Sequence, residues 1–148
     1  ELPGSSVNKS NGLRLDISYL SKSGQKIDLN NLKQGDNIKA LIRITNTGTF
    51  GYLKNLALTA VFSSGFEIEN TRIGGISNLP SRVNYADYRD DRIMYYFDLD
   101  AGKSLDLDIP LTAAYAGTYL SPLLECESMY KPSIQTLYRS GVAKISVR

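Results

Sequence analysis

The sequence predicts an all-β fold, an antiparallel two-sheet β-sandwich, and three observations lead there. Apolar and polar residues alternate through most of the chain, the pattern of strands with one dry face and one wet face. Breaks rich in Gly, Asn, Asp and Ser recur about every ten residues, the spacing of about eight strands joined by turns. No apolar stripe with the helical period runs anywhere in the chain, so no amphipathic helix competes.

The elements follow in order. Residues 1–11, ELPGSSVNKSN, lack apolar periodicity and are expected to form a flexible leader, with residues 12–148 as a single domain. This opening has no charged-then-apolar signal, and the chain is expected to be a mature or excised piece. Asn8–Lys9–Ser10 fits a glycosylation sequon, a tripeptide common by chance. GLRLDISYL follows, with Leu13, Leu15, Ile17 and Tyr19 on one face. Turns are expected at Gly24 and at Gln34–Gly35–Asp36. The next strand points Ile38, Ala40, Ile42 and Ile44 inward and stops at Asn46–Thr47–Gly48. Another alternation runs through Leu56, Leu58, Ala60 and Phe62 to a break at Ser63–Ser64–Gly65. Residues 70–91 hold a double glycine, a proline and several Asp and Asn, and read as one long irregular loop. Alternation resumes at Ile93, Tyr95, Phe97 and Leu99. A hairpin closes at Ala101–Gly102, and Leu105, Leu107, Ile109, Leu111 and Ala113 answer it. Pro110 falls inside that strand, which calls for an edge position or a bulge. The last strands are broken at Gly117, Pro132 and Gly141.

Composition narrows the functional classes. A chain of 148 residues buries roughly 70% of its unfolded surface and needs no metal or disulfide to fold. The net charge is +2, from 17 basic and 15 acidic side chains that are interspersed, so neither nucleic acid nor an anionic membrane is an expected partner. No run approaches the length of a membrane-spanning helix, and no membrane insertion is expected. Histidine is absent, which removes the commonest general base and the commonest metal ligand. The single cysteine, Cys126, lies in an alternating stretch between Glu125 and Glu127 and reads as a buried small hydrophobe.

Three constellations bear on chemistry. Asp98, Asp100, Asp106 and Asp108 surround a glycine but lack the terminal Glu of a calcium loop, and they fall on the wet faces of two paired strands. RVNYADYRDD gathers carboxylates in a polar setting that keeps them all ionised, which suits Arg–Asp pairing and not a paired-acid hydrolase. Serines lack a histidine partner, and no phosphate-cradling glycine pattern opens a helix. The residues point to no catalysis, no cofactor and no metal.

Several segments taken together carry a resemblance: LKQGDNIKALIRI, SGFEIEN, YADYRDDRIMYYFDLDAG, AAYAGTYLSPLLECESMYKP and RSGVAKISV. With GFEIEN, RDDR, the Gly117-x-Tyr119-x-x-Pro122 element and ESMYKP as a set, residues 12–148 resemble the C-terminal macroglobulin-like domain, MG10, of bacterial alpha-2-macroglobulins. Ser64 stands where that family usually has proline, a change expected to alter one turn. The resemblance implies a macroglobulin or fibronectin-III-like sandwich in a large, often lipid-anchored protease trap of the Gram-negative periplasm or cell envelope. Cleavage of a bait segment in such proteins exposes a thioester that captures the protease. Cys126 is followed by Glu-Ser-Met and does not fit the thioester motif, so this chain is expected to bind and guard without reacting. Its implied partners are the other domains of the parent, above all the thioester domain, and target proteases only indirectly.

The family picture assigns an aromatic at the docking interface to keep water from the thioester. Tyr130, supported by Met129 and by the turn that Pro132 fixes, fits that part, with Tyr85 and Tyr88 as runners-up. The plainer reading has Tyr130 capping its own sandwich. A cell-surface adhesion or carbohydrate-binding sandwich is the alternative function, and a small hydrolase is disfavoured by the missing histidine.

Overall fold

In the computed structural model, residues 7–69, 83–139 and 141–147 are described, and thirteen strands lie among them. They are β1 Val7–Asn11, β2 Leu13–Ser21, β3 Leu32–Lys33, β4 Asn37–Asn46, β5 Leu53–Val61, β6 Phe66–Ile68 and β7 Val83–Tyr88. β8 Arg92–Leu99, β9 Ser104–Ala113, β10 Gly117–Leu120, β11 Leu123–Ser128, β12 Gln135–Arg139 and β13 Val142–Ser146 complete the set. One 3-10 turn, Leu29–Asn31, is capped by the Asp28 carboxylate, which accepts from Asn30 N at 3.0 Å.

Two antiparallel sheets face each other, ordered β1-β12-β11-β5-β8-β7 and β2-β4-β9-β6. The sandwich is as the alternation predicts. A third, smaller sheet, β10-β13-β3, includes one parallel pair, Ile145 with Leu32, which alternation does not distinguish from the other two. Register brings the apolar faces together. Ile42 stands opposite Ile17 and Leu107; Leu58 stands opposite Tyr95 and Cys126. These residues, apart from the half-buried Ile17, join Phe97, Leu56, Leu124 and Ile109 in the buried core. Cys126 is fully buried, and burial first, then the Glu127 and Glu125 carboxylates, push its thiol well above the ordinary range.

Four sequence expectations are corrected or refined. Residues 7–11, assigned to the leader, form β1, an edge strand paired along its length with β12. A polar edge strand is held by its backbone, so it needs no apolar signal. Within the expected loop 70–91, residues 83–88 form β7, paired with β8. The remainder from 70 to 82 lies outside the described residues. β5 carries a bulge: its register shifts between Leu53 and Leu56, and Asn55 takes φ 54°. That extra residue lets Leu53 and Leu56, three apart, both face the core. Pro110 is opposite Lys39 inside β9. Its carbonyl accepts from Glu69 N at 3.0 Å, so its missing N–H faces the side where β6 has just ended, a local edge.

The Gly117-x-Tyr119-x-x-Pro122 element is architectural. The Tyr119 hydroxyl donates to the carbonyls of Tyr115 and Ala116, each at 3.1 Å. Its ring lies so close over Gly65 that any Cβ there would collide with it. Pro122 is buried beside it in sequence.

The wet face of β2-β4-β9 is charged. Arg43 donates to both Asp106 oxygens, at 2.6 and 3.1 Å, and Lys39 lies 3.8 Å from Asp108. The hydrogen bond from Arg43 holds the Asp106 carboxyl below its ordinary range. A depressed folded value contributes stability above the unfolded pKa and loses it as pH falls through the folded one. The pair is mostly exposed, so the effect is small. Asp106→Asn is expected to be slightly less stable than the parent sequence at neutral pH, with the difference narrowing at acid pH as the Asp106 carboxyl protonates. Urea denaturation at neutral and at acid pH checks this.

Candidate functional site

One end of the sandwich is built by four connections: Gly12, between β1 and β2; residues 47–52, between β4 and β5; the β8–β9 hairpin turn; and residues 129–134, between β11 and β12. The last of these carries the sequence-predicted site. It is short and closed. Ser128 N donates to the Ile134 carbonyl at 3.0 Å, and Ile134 N donates to the Lys131 carbonyl at 2.9 Å. Lys131 N donates to Ser128 Oγ at 3.3 Å, and Met129 N donates to the Asn55 carbonyl at 3.0 Å. Asn11 Nδ2 donates to the Ser133 carbonyl at 2.8 Å. Ile134 is buried and plugs the core end, while the turn before it stands in solvent.

The residues on that turn are open. Tyr130 is 78% exposed, Met129 is 58% exposed, and Pro132 is exposed. The reading in which Tyr130 packs over its own sandwich end does not hold at that exposure. Tyr85 is 59% exposed but lies on the outer face of the large sheet, its ring tilted against Tyr96 with centroids 5.7 Å apart. It sits three strands from β11, roughly 14 Å at ordinary strand spacing. Tyr88 is half-buried at the far end of β7, edge-on to Tyr95 at 6.3 Å. The structure thus gathers Met129, Tyr130 and Pro132 and leaves Tyr85 and Tyr88 elsewhere.

The β4–β5 connection adds two residues that sequence reading missed. Phe50 is 45% exposed and Tyr52 is 50% exposed. One face of Phe50 covers Gly12, where an added Cβ would stand 2.6 Å from the ring and 3.2 Å from an Ile134 methyl. Phe50 and the β11–β12 loop therefore meet over the same glycine. In the sequence the two aromatics show only as Thr-Phe-Gly-Tyr beside a turn, and singly exposed aromatics are ordinary, so no local signal marks them.

Asn46 positions that connection. It is fully buried. Its Nδ2 donates to the carbonyls of Gly51 at 2.8 Å and Leu99 at 3.0 Å, and its Oδ1 accepts from Gly48 N at 2.9 Å. Thr47 Oγ1 donates to the Gly12 carbonyl at 3.0 Å. The loop is therefore stitched to the β8–β9 hairpin on one side and to the β1–β2 junction on the other.

The carboxylates at this end have structural partners. Asp98 accepts from Asn55 N at 2.8 Å and belongs to the bulge, and Asp100 accepts from Ala101 N at 2.9 Å in its own turn. Among the described residues, no group of three or more acidic or cysteine side chains is placed to hold a metal. What the end presents is an apolar, solvent-facing patch on rigid supports, an arrangement suited to contact with another protein.

Comparison with known proteins places the chain in a family. The family model described as the bacterial alpha-2-macroglobulin MG10 domain matches residues 12–133. An alpha-2-macroglobulin of Xylella fastidiosa, strain 9a5c, is 28% identical over 132 residues, covering 78% of this chain and 8% of that protein. The chain thus spans less than a tenth of the curated relative. Trypsin-activated alpha-2-macroglobulin from Escherichia coli superposes with a TM-score of 0.83 at 18% identity, covering 95% of this chain and 11% of that one. Salmonella alpha-2-macroglobulin reacted with methylamine gives 0.79 at 20% identity, covering 95% and 10%.

Proposed function

The chain belongs to the bacterial alpha-2-macroglobulin MG10 domain family, and from that premise we propose that it is a non-catalytic docking and guarding domain of a larger protease trap. In this reading the parent works in the periplasm or envelope of a Gram-negative bacterium. The turn at Met129–Pro132 seats on the parent's thioester domain and excludes water from the reactive bond. The relatives' reaction with methylamine and activation by trypsin are the behaviours such a guarded bond would give the parent.

One observation carries the proposal: a tyrosine left 78% exposed at the tip of a turn closed by the Ser128–Ile134 and Ile134–Lys131 backbone hydrogen bonds. Held this way, the ring loses little entropy on docking and covers a large area, with its hydroxyl free to reach the wet rim. The domain's own single cysteine is buried in the core and takes no part.

The test uses the full-length parent. Tyr130→Gly is expected to let water open the thioester several-fold faster, followed by the mass change on hydrolysis. An unchanged rate removes Tyr130 from the guarding role.

A further inference from the structure

We propose that the β4–β5 loop is a second contact arm of the same docking end, with Phe50 and Tyr52 touching the thioester domain beside Met129 and Tyr130. This inference rests on the docking reading above and extends it to a segment with no part in that reading.

Three observations carry it. First, position: residues 47–52 and 129–134 emerge from the same end of the sandwich, and Phe50 and Ile134 share the space over Gly12. Second, composition: four large apolar side chains from two loops, Phe50, Tyr52, Met129 and Tyr130, are each about half exposed or more. At the far end, among the described residues, two exposed apolar side chains lie outside strands: Tyr115, whose hydroxyl donates to Glu67 Oε1 at 3.2 Å, and the smaller Val147 after β13. Third, rigidity: the loop is held in one conformation by the buried Asn46 through three hydrogen bonds, by two left-handed glycines at φ 90° and 72°, and by a threonine bonded to Gly12. A loop held in one conformation before contact loses less entropy on docking, so the construction makes sense where its tip is to be covered.

The occupant is another part of the same polypeptide. The curated relatives are more than ten times as long as the stretch that this chain matches, so most of such a parent lies outside this chain. A covalently tethered neighbour meets this end at a high effective concentration, which allows a patch too small for a stable dimer to stay docked. Lys54 and Lys131, both exposed, flank the patch.

The experiment places a photo-cross-linking phenylalanine analogue at position 52, 130 or 115 of the full-length parent. Positions 52 and 130 are expected to capture the thioester domain, and position 115, at the opposite end, is not. Capture from 130 but not from 52 overturns the second arm and leaves the proposed function standing. Capture from neither position overturns both. Capture of some other domain from 52 also overturns the inference. In parallel, Phe50→Ser with Tyr52→Ser should raise the undocked fraction, and with it the rate of thioester hydrolysis, about tenfold, as removal of two central aromatics does elsewhere. Tyr52→Ser alone, at an exposed side chain that does not pack on Gly12, should move the rate in the same direction without disturbing the fold. A rate unchanged in both variants overturns the inference.

Discussion

Phe97→Ala is expected to cost about 3–5 kcal/mol of folding stability, the largest loss of any single truncation in this domain. Phe97 is fully buried in β8, between β5 and the edge strand β7 of the large sheet, opposite Leu56 and Val83. Removing the ring strips apolar area from the core and leaves a cavity that flanking strands, fixed by ladders on both sides, close only in part. Guanidinium denaturation of the domain reads the loss as a lower midpoint with the slope unchanged. A loss under about 1 kcal/mol would mean that the two sheets move together to fill the space.

Asn46→Ala comes second, at about 3 kcal/mol, although it removes almost no apolar area. The side chain satisfies two carbonyls and one amide at a fully buried point, and each group left unpaired there costs about 1–3 kcal/mol, less whatever water reaches it at the turn. Asn46→Asp should do no better: it keeps the acceptor for Gly48 N but sets a carboxylate oxygen against the carbonyls of Gly51 and Leu99. Equilibrium unfolding separates the outcomes. If both variants lie within about 0.5 kcal/mol of the parent sequence, the three groups are solvated and Asn46 holds nothing.

The contrast between these two residues explains what was legible in the sequence. Phe97 and its neighbours in β8 and β9 announce themselves by alternation, because a half-buried strand must sort its side chains by face. Cys126 was legible for the same reason. Asn46 looked like an ordinary strand-ending residue; that its amide turns inward depends on where Gly51 and Leu99 end up, which no local pattern states. β1 escaped notice because a polar edge strand is defined by backbone pairing with β12 alone. β7 was hidden by its composition, with Asn, two Tyr and an Asp on an edge strand whose register shifts at Tyr85. The Leu53–Leu56 spacing obscured the start of β5, since one inserted residue reverses the parity. At the candidate site, the Met129–Tyr130 turn was found through the family resemblance and its lysine–proline step. Phe50 and Tyr52 were not, because isolated aromatics near glycines are common and only the fold brings these two beside the other loop.

The burial of Cys126 gives the domain a built-in clock. An alkylating reagent needs the thiolate, and this sulfur has neither solvent nor a readily ionised form while the sheets stay closed. Each modification event therefore requires an opening of the core between β5 and β12. A single chain position can then time the breathing of the whole sandwich, unmixed with any other sulfhydryl from this domain.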